Sequence, residues 1–123
     1  TLGHGAAKVL LCPGEYLAAE SATIGTEVLE FLSRFNVDHC MIGSSGFSTE
    51  GPSEMVRGFA AVKRMMLQRA TKRHLLIDSG KFGRKGLAHV GDLNGLDSII
   101  TDLRPTGDLL GGIEAAGVDI IVA

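Results

Sequence analysis

Short apolar runs alternate with polar stretches along this 123-residue chain. Runs rich in Val, Ile, Leu, Cys and Met that are bounded by Gly, Pro, Asn or Asp are typical of buried β-strands. The runs with this pattern are Lys8–Cys12, Val37–Ile42, His74–Asp78, Ser98–Thr101 and Val118–Val122. A shorter run, Leu87–Val90, predicts one more strand.

Helical spacing of apolar residues separates several of these strands. One helix is predicted from Gly25 or Thr26 to about Phe35, with its apolar positions on one face: Val28, Leu29, Leu32 and Phe35. The longest helix is predicted from about Glu54 to Thr71, opened by Ser53, and its expected core positions are Met55, Phe59, Val62, Met66 and Ala70. The acidic start and basic end of this helix suit the helix dipole.

The remaining segments predict a small helix and two irregular connections. Residues 108–116 favour a helix that is broken at Gly111–Gly112 and capped by Gly117. Residues 15–24 and 47–52 are expected to be loops. Because strands and helices alternate with short connections, we predict an α/β domain whose mostly parallel sheet has helices on both faces. We see no internal repeat and no linker.

Composition and charge narrow the function classes. Hydrophobic residues make up 45% and charged residues 21%, and the net charge is −2, so no excess of positive charge draws these residues to nucleic acid. No apolar run approaches the ~20 residues of a membrane span, and no secretory signal is visible. Cys12 and Cys40 each stand in a strand-like run, which favours buried free thiols in a reducing compartment.

Three predicted strands run into loops that suit an anion. The loops are Cys12–Gly14, Ile42–Gly46 and Asp78–Gly83. The carboxyl ends of parallel strands share one edge of a sheet, where ligands bind in open α/β folds. Glycine amides, small hydroxyls such as Ser44 and the ammonium of Lys81 together suit a phosphorylated or carboxylated ligand. The alternative is a plain turn with a surface lysine.

Catalytic and metal-binding interpretations have less support in the sequence. Asp78 ends its strand, and we expect it to orient its loop by accepting backbone N–H groups rather than to act as a general base. The histidines lack the close spacing of a metal site, and neither cysteine lies in a C-x-x-C pair. The loop Gly43–Gly46 lacks the G-x-S-x-G spacing of a nucleophile elbow.

A set of motifs in the same order resembles one bacterial family. Asp78-Ser-Gly-Lys-Phe-Gly83 resembles the D-x-S-K-F-G signature of the C-terminal sensor domain of DeoR-type transcriptional regulators. Further matches in the family's order are Pro13–Tyr16, Gly25, Asp38–Gly46, Glu50–Pro52, Val62–Met66 and Thr101–Asp102. The resemblance covers nearly the whole chain. Gly80 departs from the usual Ser of the signature, and Phe59 and Ala61 stand where glutamates are frequent, which leaves the ligand's identity open.

The resemblance implies the fold of ribose-5-phosphate isomerase, glucosamine-6-phosphate deaminase and CoA transferases. It also implies a cytoplasmic, non-enzymatic sensor of a repressor, which binds a phosphorylated sugar or related metabolite and controls operator binding. The ligand-binding residues it points to, together with the loops above, are Gly14, Gly43, Ser44, Gly46, Asp78 and Lys81. We expect no cofactor and no metal, and a homo-oligomer.

Residues 1–123 then correspond to the C-terminal part of the sensing domain. The family's N-terminal winged helix-turn-helix and the first strand of its sensor domain, with a Gly-Thr-Thr phosphate loop, are not in this stretch. Two alternatives stay open. A sugar-phosphate isomerase of the same fold would need a general base, and the loop Gly43–Gly46 contains no carboxylate. A purely structural module would ignore every anionic ligand.

Overall fold

The computed structural model describes residues 8–19 and 22–123, which form an α/β domain. The strands are β1 (Glu15–Leu17), β2 (Ala22–Ile24), β3 (Val37–Ile42), β4 (Gly46–Ser48), β5 (Gly51–Glu54), β6 (Ala70–Leu76), β7 (Ala88–His89), β8 (Ser98–Thr101) and β9 (Asp119–Val122). The helices are α1 (Thr26–Leu32), α2 (Arg57–Arg69) and α3 (Gly107–Ala115). Single 3₁₀ turns span Ser79–Lys81 and Leu93–Gly95.

A parallel four-stranded sheet in the order β3-β6-β8-β9 forms the centre of the fold, as the sequence pattern predicts. Ile42 lies beside Leu75, and Leu75 beside Ile99, so one face of the sheet carries large apolar side chains across its width. Leu75 and Ile99 are fully buried, and Phe47 and Ile113 close the same core from outside the sheet. This burial of aliphatic area is the main source of the domain's stability.

The opposite face of this sheet is exposed among the described residues, so the prediction of helices on both faces is wrong for them. Alternate side chains point to opposite faces of a strand, and Met41, Leu76 and Ile121 are 62%, 43% and 49% exposed. A polar group lies on the same face: His39 Nδ1 is 2.9 Å from His74 Nε2, and His74 Nδ1 is 2.6 Å from Ser98 Oγ.

A second, antiparallel sheet in the order β4-β5-β7 occupies the region that was predicted to be a loop. The strand β5 is Gly-Pro-Ser-Glu, and all four residues are buried. Small and polar residues give no apolar alternation, so the pattern missed β4 and β5. The predicted strand Leu87–Val90 is reduced to the two residues of β7, which pair with β5 rather than with the parallel sheet.

The N-terminal prediction is also wrong. Lys8–Cys12 forms no strand, and Leu10 and Leu11 are 71% and 72% exposed. A strand needs a hydrogen-bonded neighbour as well as an apolar run, and the described residues supply none to this segment. The expected irregular segment is instead a hairpin of β1 and β2, although Glu20 lies outside the described residues.

The helices occur where predicted, with different bounds. α1 ends at Leu32 rather than near Phe35. α2 begins at Arg57, because Ser53 and Glu54 are used in strand pairing with β7, and Met55 is consequently 62% exposed. Its buried residues are Ala60 and Leu67. Of the predicted core positions, Ala70 is buried and Met66 packs against the core, whereas Phe59 and Val62 are half-buried. α3 runs without a break through Gly111–Gly112, where the sequence predicted one.

Candidate functional site

The carboxyl ends of β3 and β6 border a cavity of about 400 Å³, which we call the site cavity. Its lining residues are Ala22, Gly43, Ser44, Ser45, Glu54, Met55, Val56, Phe59, Lys63 and Lys81. The two loops that the sequence singled out after these strands therefore meet at one edge of the parallel sheet, as open α/β folds predict. Of the predicted site residues, Gly43, Ser44 and Lys81 line the cavity.

Glu54 holds the loop after β3 in place. Its carboxylate accepts the backbone N–H of Ser45 at 2.9 Å and the hydroxyl of Ser45 at 3.0 Å. Lys63 Nζ donates to Glu54 Oε2 at 2.7 Å and to the carbonyl oxygen of Gly43 at 2.6 Å. Glu54 is 4% exposed. A carboxylate this buried is tolerated only when it is paired and hydrogen-bonded, and this network meets both conditions.

Sequence reasoning missed this network. The spacing of Glu54 and Lys63 resembles no helical pair, because the chain turns between β5 and α2 to bring them together. The predicted helix start at Ser53 also placed Glu54 in the wrong element. A buried strand made of small and polar residues leaves no periodic signal that would have pointed to the pair.

Lys81 lies at the end of a 3₁₀ turn that Asp102 anchors. The backbone N–H of Ser79 donates to Asp102 Oδ1 at 2.7 Å, and the Ser79 hydroxyl donates to Oδ2 at 3.1 Å. The hydrogen bond from the Ser79 backbone lowers the pKa of Asp102 below its usual range. Lys81 Nζ is 4.0 Å from Asp78 Oδ2, and its side chain is 41% exposed. This ammonium is free to approach a ligand.

The orienting role predicted for Asp78 belongs largely to Asp102. Asp78 contributes its backbone carbonyl, which accepts the N–H of Lys81 at 3.1 Å, while its carboxylate is 62% exposed and does not line the site cavity. The two carboxylates point in different directions. Asp78 turns outward at the end of its strand, whereas Asp102 follows the neighbouring strand β8 and faces the turn.

Two predicted site glycines also lie outside the cavity lining, and both have packing reasons to be glycine. Gly14 has a φ of +138°, and a Cβ there would lie 2.5 Å from Val28 Cγ2. A Cβ on Gly46 would lie 2.5 Å from the carbonyl oxygen of Arg84. Close backbone approach of this kind admits glycine alone. The loop that contains Gly14 packs against α1 instead of joining the other two at the site.

A larger cavity of about 850 Å³ lies beside the antiparallel sheet, bordered by β4, β5 and α3. Its ionisable side chains contact one another: Lys85 Nζ is 2.6 Å from Glu50 Oε2, and His89 Nε2 is 3.1 Å from Asp92 Oδ1. All four side chains are more than half exposed. We assign the site to the smaller cavity because it combines a buried hydrogen-bond network with a cation that has no partner within hydrogen-bond distance among the described residues.

The other candidate groups that the structure describes form no second site. Both cysteines are free thiols. Cys40 is buried, whereas Cys12 is only half-buried. Burial raises the pKa of both thiols, which makes them poor nucleophiles at neutral pH. Among residues 8–19 and 22–123, no three His, Cys, Asp or Glu side chains cluster as a metal site would need, and no helix is long and apolar enough to cross a membrane.

Comparison with known proteins finds similar sequences among transcriptional regulators. The sequence profile of the DeoR C terminal sensor domain matches residues 2–103. The glycerol-3-phosphate regulon repressor of Escherichia coli (strain K12) is 28% identical over 99 residues, which cover 80% of this chain and 39% of that protein. The HTH-type transcriptional repressor GlcR of Bacillus subtilis is 33% identical over 98 residues, covering 80% of this chain and 38% of the repressor.

A third relative aligns over more of the chain. The HTH-type transcriptional regulator GlpR of Haloferax volcanii is 29% identical over 115 residues, which cover 93% of this chain and 45% of that regulator. The chain therefore spans between 38% and 45% of the length of these three relatives.

Proposed function

Because the chain belongs to the family of DeoR C-terminal sensor domains, we propose that its site cavity binds a phosphorylated sugar or a similar small anionic metabolite. The observation that carries this proposal is the meeting of Lys81 with the Gly43–Ser45 loop at the carboxyl edge of the parallel sheet. Lys81 offers a point charge for a phosphate. The loop and the polar lining offer groups for the hydroxyls of a sugar.

The names of the relatives favour a phosphate ester. Three of them are named glycerol-3-phosphate regulon repressor, from Escherichia coli, Shigella flexneri and Haemophilus influenzae. We therefore place glycerol 3-phosphate beside the hexose and pentose phosphates as the first probes. A cavity of about 400 Å³ has room for any of these molecules.

We further propose that the chain is the C-terminal part of the sensing domain of a transcriptional regulator, most simply a repressor that works in the cytoplasm. The relatives are named as transcriptional regulators and are more than twice as long as the matched stretch. Operator DNA would be bound by a winged helix-turn-helix outside these residues, since the net charge here is −2. Paired DNA half-sites favour a homo-oligomer. Ligand would act by shifting the population of the DNA-binding form.

An isomerase of the same fold is the competing function, and Glu54 is the observation that bears on it. This residue supplies a carboxylate at the loop where the sequence shows none. A general base needs a lone pair that can reach a substrate proton. Glu54 already accepts three hydrogen bonds, one of them from Lys63, so a role in holding the loop fits it better than proton transfer.

A calorimetric titration of the full-length protein tests the proposal. The probes are glycerol 3-phosphate, a panel of hexose and pentose phosphates, the matching free sugars and inorganic phosphate. We expect one phosphate ester to bind and its free sugar not to bind. Lys81→Ala should weaken that binding about 10- to 100-fold, because a charge-assisted hydrogen bond contributes ~1.5–3 kcal/mol.

Lys85→Ala is the matched control, since Lys85 lines the larger cavity and pairs with Glu50. It should leave the affinity unchanged. Equal affinities of the wild type and Lys81→Ala would refute the assigned site. Product analysis of the same mixtures separates the two functions: an isomerised sugar phosphate would make the protein an enzyme.

A further inference from the structure

Glu54 has hydrogen-bonding capacity left on one side only. A carboxylate has about four lone-pair sites on its two oxygens. Oε2 accepts both the Ser45 N–H and Lys63 Nζ, whereas the only partner of Oε1 among the described residues is the Ser45 hydroxyl. Glu54 also lines the site cavity. The spare site on Oε1 can accept a hydroxyl of a ligand, but it cannot bind a phosphate or carboxylate oxygen, which carries no hydrogen.

The two lysines that line the site cavity differ in their pairing. The charge of Lys63 is balanced by Glu54 at 2.7 Å, and its side chain is 23% exposed. Lys81 stands 4.0 Å from an exposed carboxylate and is the better placed cation for an incoming anion. A second anionic group brought close to Glu54 would meet a buried carboxylate, and like charges brought together in a desolvated site oppose binding.

We infer that Glu54 is a specificity-determining residue, which makes the site cavity accept sugar monophosphates that present hydroxyls to the Glu54 carboxylate and reject bisphosphates of the same sugars. This inference rests on the proposed function, because it assumes that a phosphate binds near Lys81. It adds a residue that selects among phosphorylated ligands, a role that neither the loops nor Lys81 can supply.

Matched pairs of ligands provide the first test. The affinity of the full-length wild type is measured for fructose 6-phosphate and fructose 1,6-bisphosphate, for glucose 6-phosphate and glucose 1,6-bisphosphate, and for ribose 5-phosphate and ribose 1,5-bisphosphate. In the pair whose monophosphate binds, we expect the bisphosphate to bind at least about tenfold more weakly. Equal or tighter binding of the bisphosphate would overturn the inference without any variant.

The variant Glu54→Gln provides the second test. It keeps the size of the side chain and an oxygen for Ser45, but it removes the negative charge and leaves Lys63 positive. The bisphosphate should gain about tenfold relative to the monophosphate. Glu50→Gln is the control, because it makes the same change in an exposed ion pair that does not line the site cavity. It should leave the ratio unchanged.

The outcomes separate this inference from the proposed function. If the wild type binds a monophosphate through Lys81 and Glu54→Gln leaves the ratio unchanged, or weakens both ligands equally, Glu54 has a structural role only and the inference fails alone. If the wild type binds no phosphorylated sugar and no similar small anionic metabolite, the proposed function fails and the inference fails with it. If it binds glycerol 3-phosphate but none of the sugar monophosphates, the inference fails alone. The wild-type ratio decides the matter even if Glu54→Gln does not fold, which melting curves would reveal.

Discussion

At the scale of single residues, a buried carboxylate and a half-exposed lysine have different roles at the site cavity. Glu54 is engaged on three sides and fixes the loop after β3. Lys81 has no hydrogen-bonded partner for its ammonium among the described residues. Lys81 could be predicted from the sequence, because a cation in a small-residue loop after an apolar run is a local pattern. The role of Glu54 could not be predicted, because Ser45 and Lys63 come close to it only when β5 packs against α2.

Asp102 anchors the turn that presents Lys81, and its ionisation makes the stability of the fold depend on pH in the acid range. The hydrogen bond from the Ser79 backbone lowers its folded-state pKa. A lowered pKa stabilises the fold above the unfolded-state pKa, and this stabilisation is lost as the pH falls through the folded-state value. We expect Asp102→Asn to melt below the wild type at pH 7, with a difference that disappears as the pH falls below about 4. A constant difference at every pH would contradict this cause.

Gly46 tests whether a predicted site residue is needed for packing. A Cβ there would lie 2.5 Å from the carbonyl oxygen of Arg84, so the backbone of β4 must shift in Gly46→Ala. We expect a loss of ~1–3 kcal/mol in the free energy of unfolding, measured with urea. Gly95→Ala is the control, since nothing lies within 4 Å of its Cβ position, and it should change stability by less than about 1 kcal/mol. Equal effects would mean that Gly46 is not tightly packed.

At the scale of elements, the sequence predicted those with long apolar periodicity and missed those without it. The parallel strands β3, β6 and β8 were identified because their core residues are aliphatic. The hairpin of β4 and β5 was missed because small residues are buried there by close backbone contact rather than by hydrophobicity. The run Lys8–Cys12 shows the converse, since apolar residues without a neighbouring strand remain exposed.

Two adjacent leucines of β6 test which face of the sheet holds the core. Leu75 is fully buried, whereas Leu76 is 43% exposed on the open face. Leu75→Ala should lower the free energy of unfolding by ~2–5 kcal/mol, because a buried leucine leaves a cavity when it is truncated. Leu76→Ala should cost less than about 1.5 kcal/mol. If urea unfolding gave similar losses for the two variants, the assignment of the core to the face that carries Leu75 would be wrong.

At the scale of the whole molecule, parallel strand order is what assembles the site cavity. Loops that are distant along the chain meet because β3 and β6 are neighbours that run in the same direction. The parallel direction of these strands could be predicted from the alternation of strands and helices along the chain. The third predicted loop did not join them, because Cys12–Gly14 does not follow a strand of the parallel sheet.

Ligand binding should also stabilise the whole molecule. A ligand that binds only the folded state adds about 2.7 kcal/mol at a hundred times its dissociation constant. For a domain of this size we expect the melting temperature to rise by roughly 10 °C with the sugar phosphate that binds most tightly. The same ligand should produce a much smaller rise in Lys81→Ala. Equal rises in the two proteins would show that the stabilisation originates elsewhere.

The location of the bound ligand is the central claim, and amide NMR shifts test it most directly. ¹H–¹⁵N spectra of the full-length protein are recorded while the tightest-binding sugar phosphate is added. We predict that the largest shift changes occur at the amides of residues 43–45 and of Lys81, which line the site cavity. Largest changes at Thr49, Gly86 and Gly112, which line the larger cavity, would contradict the assignment of the site.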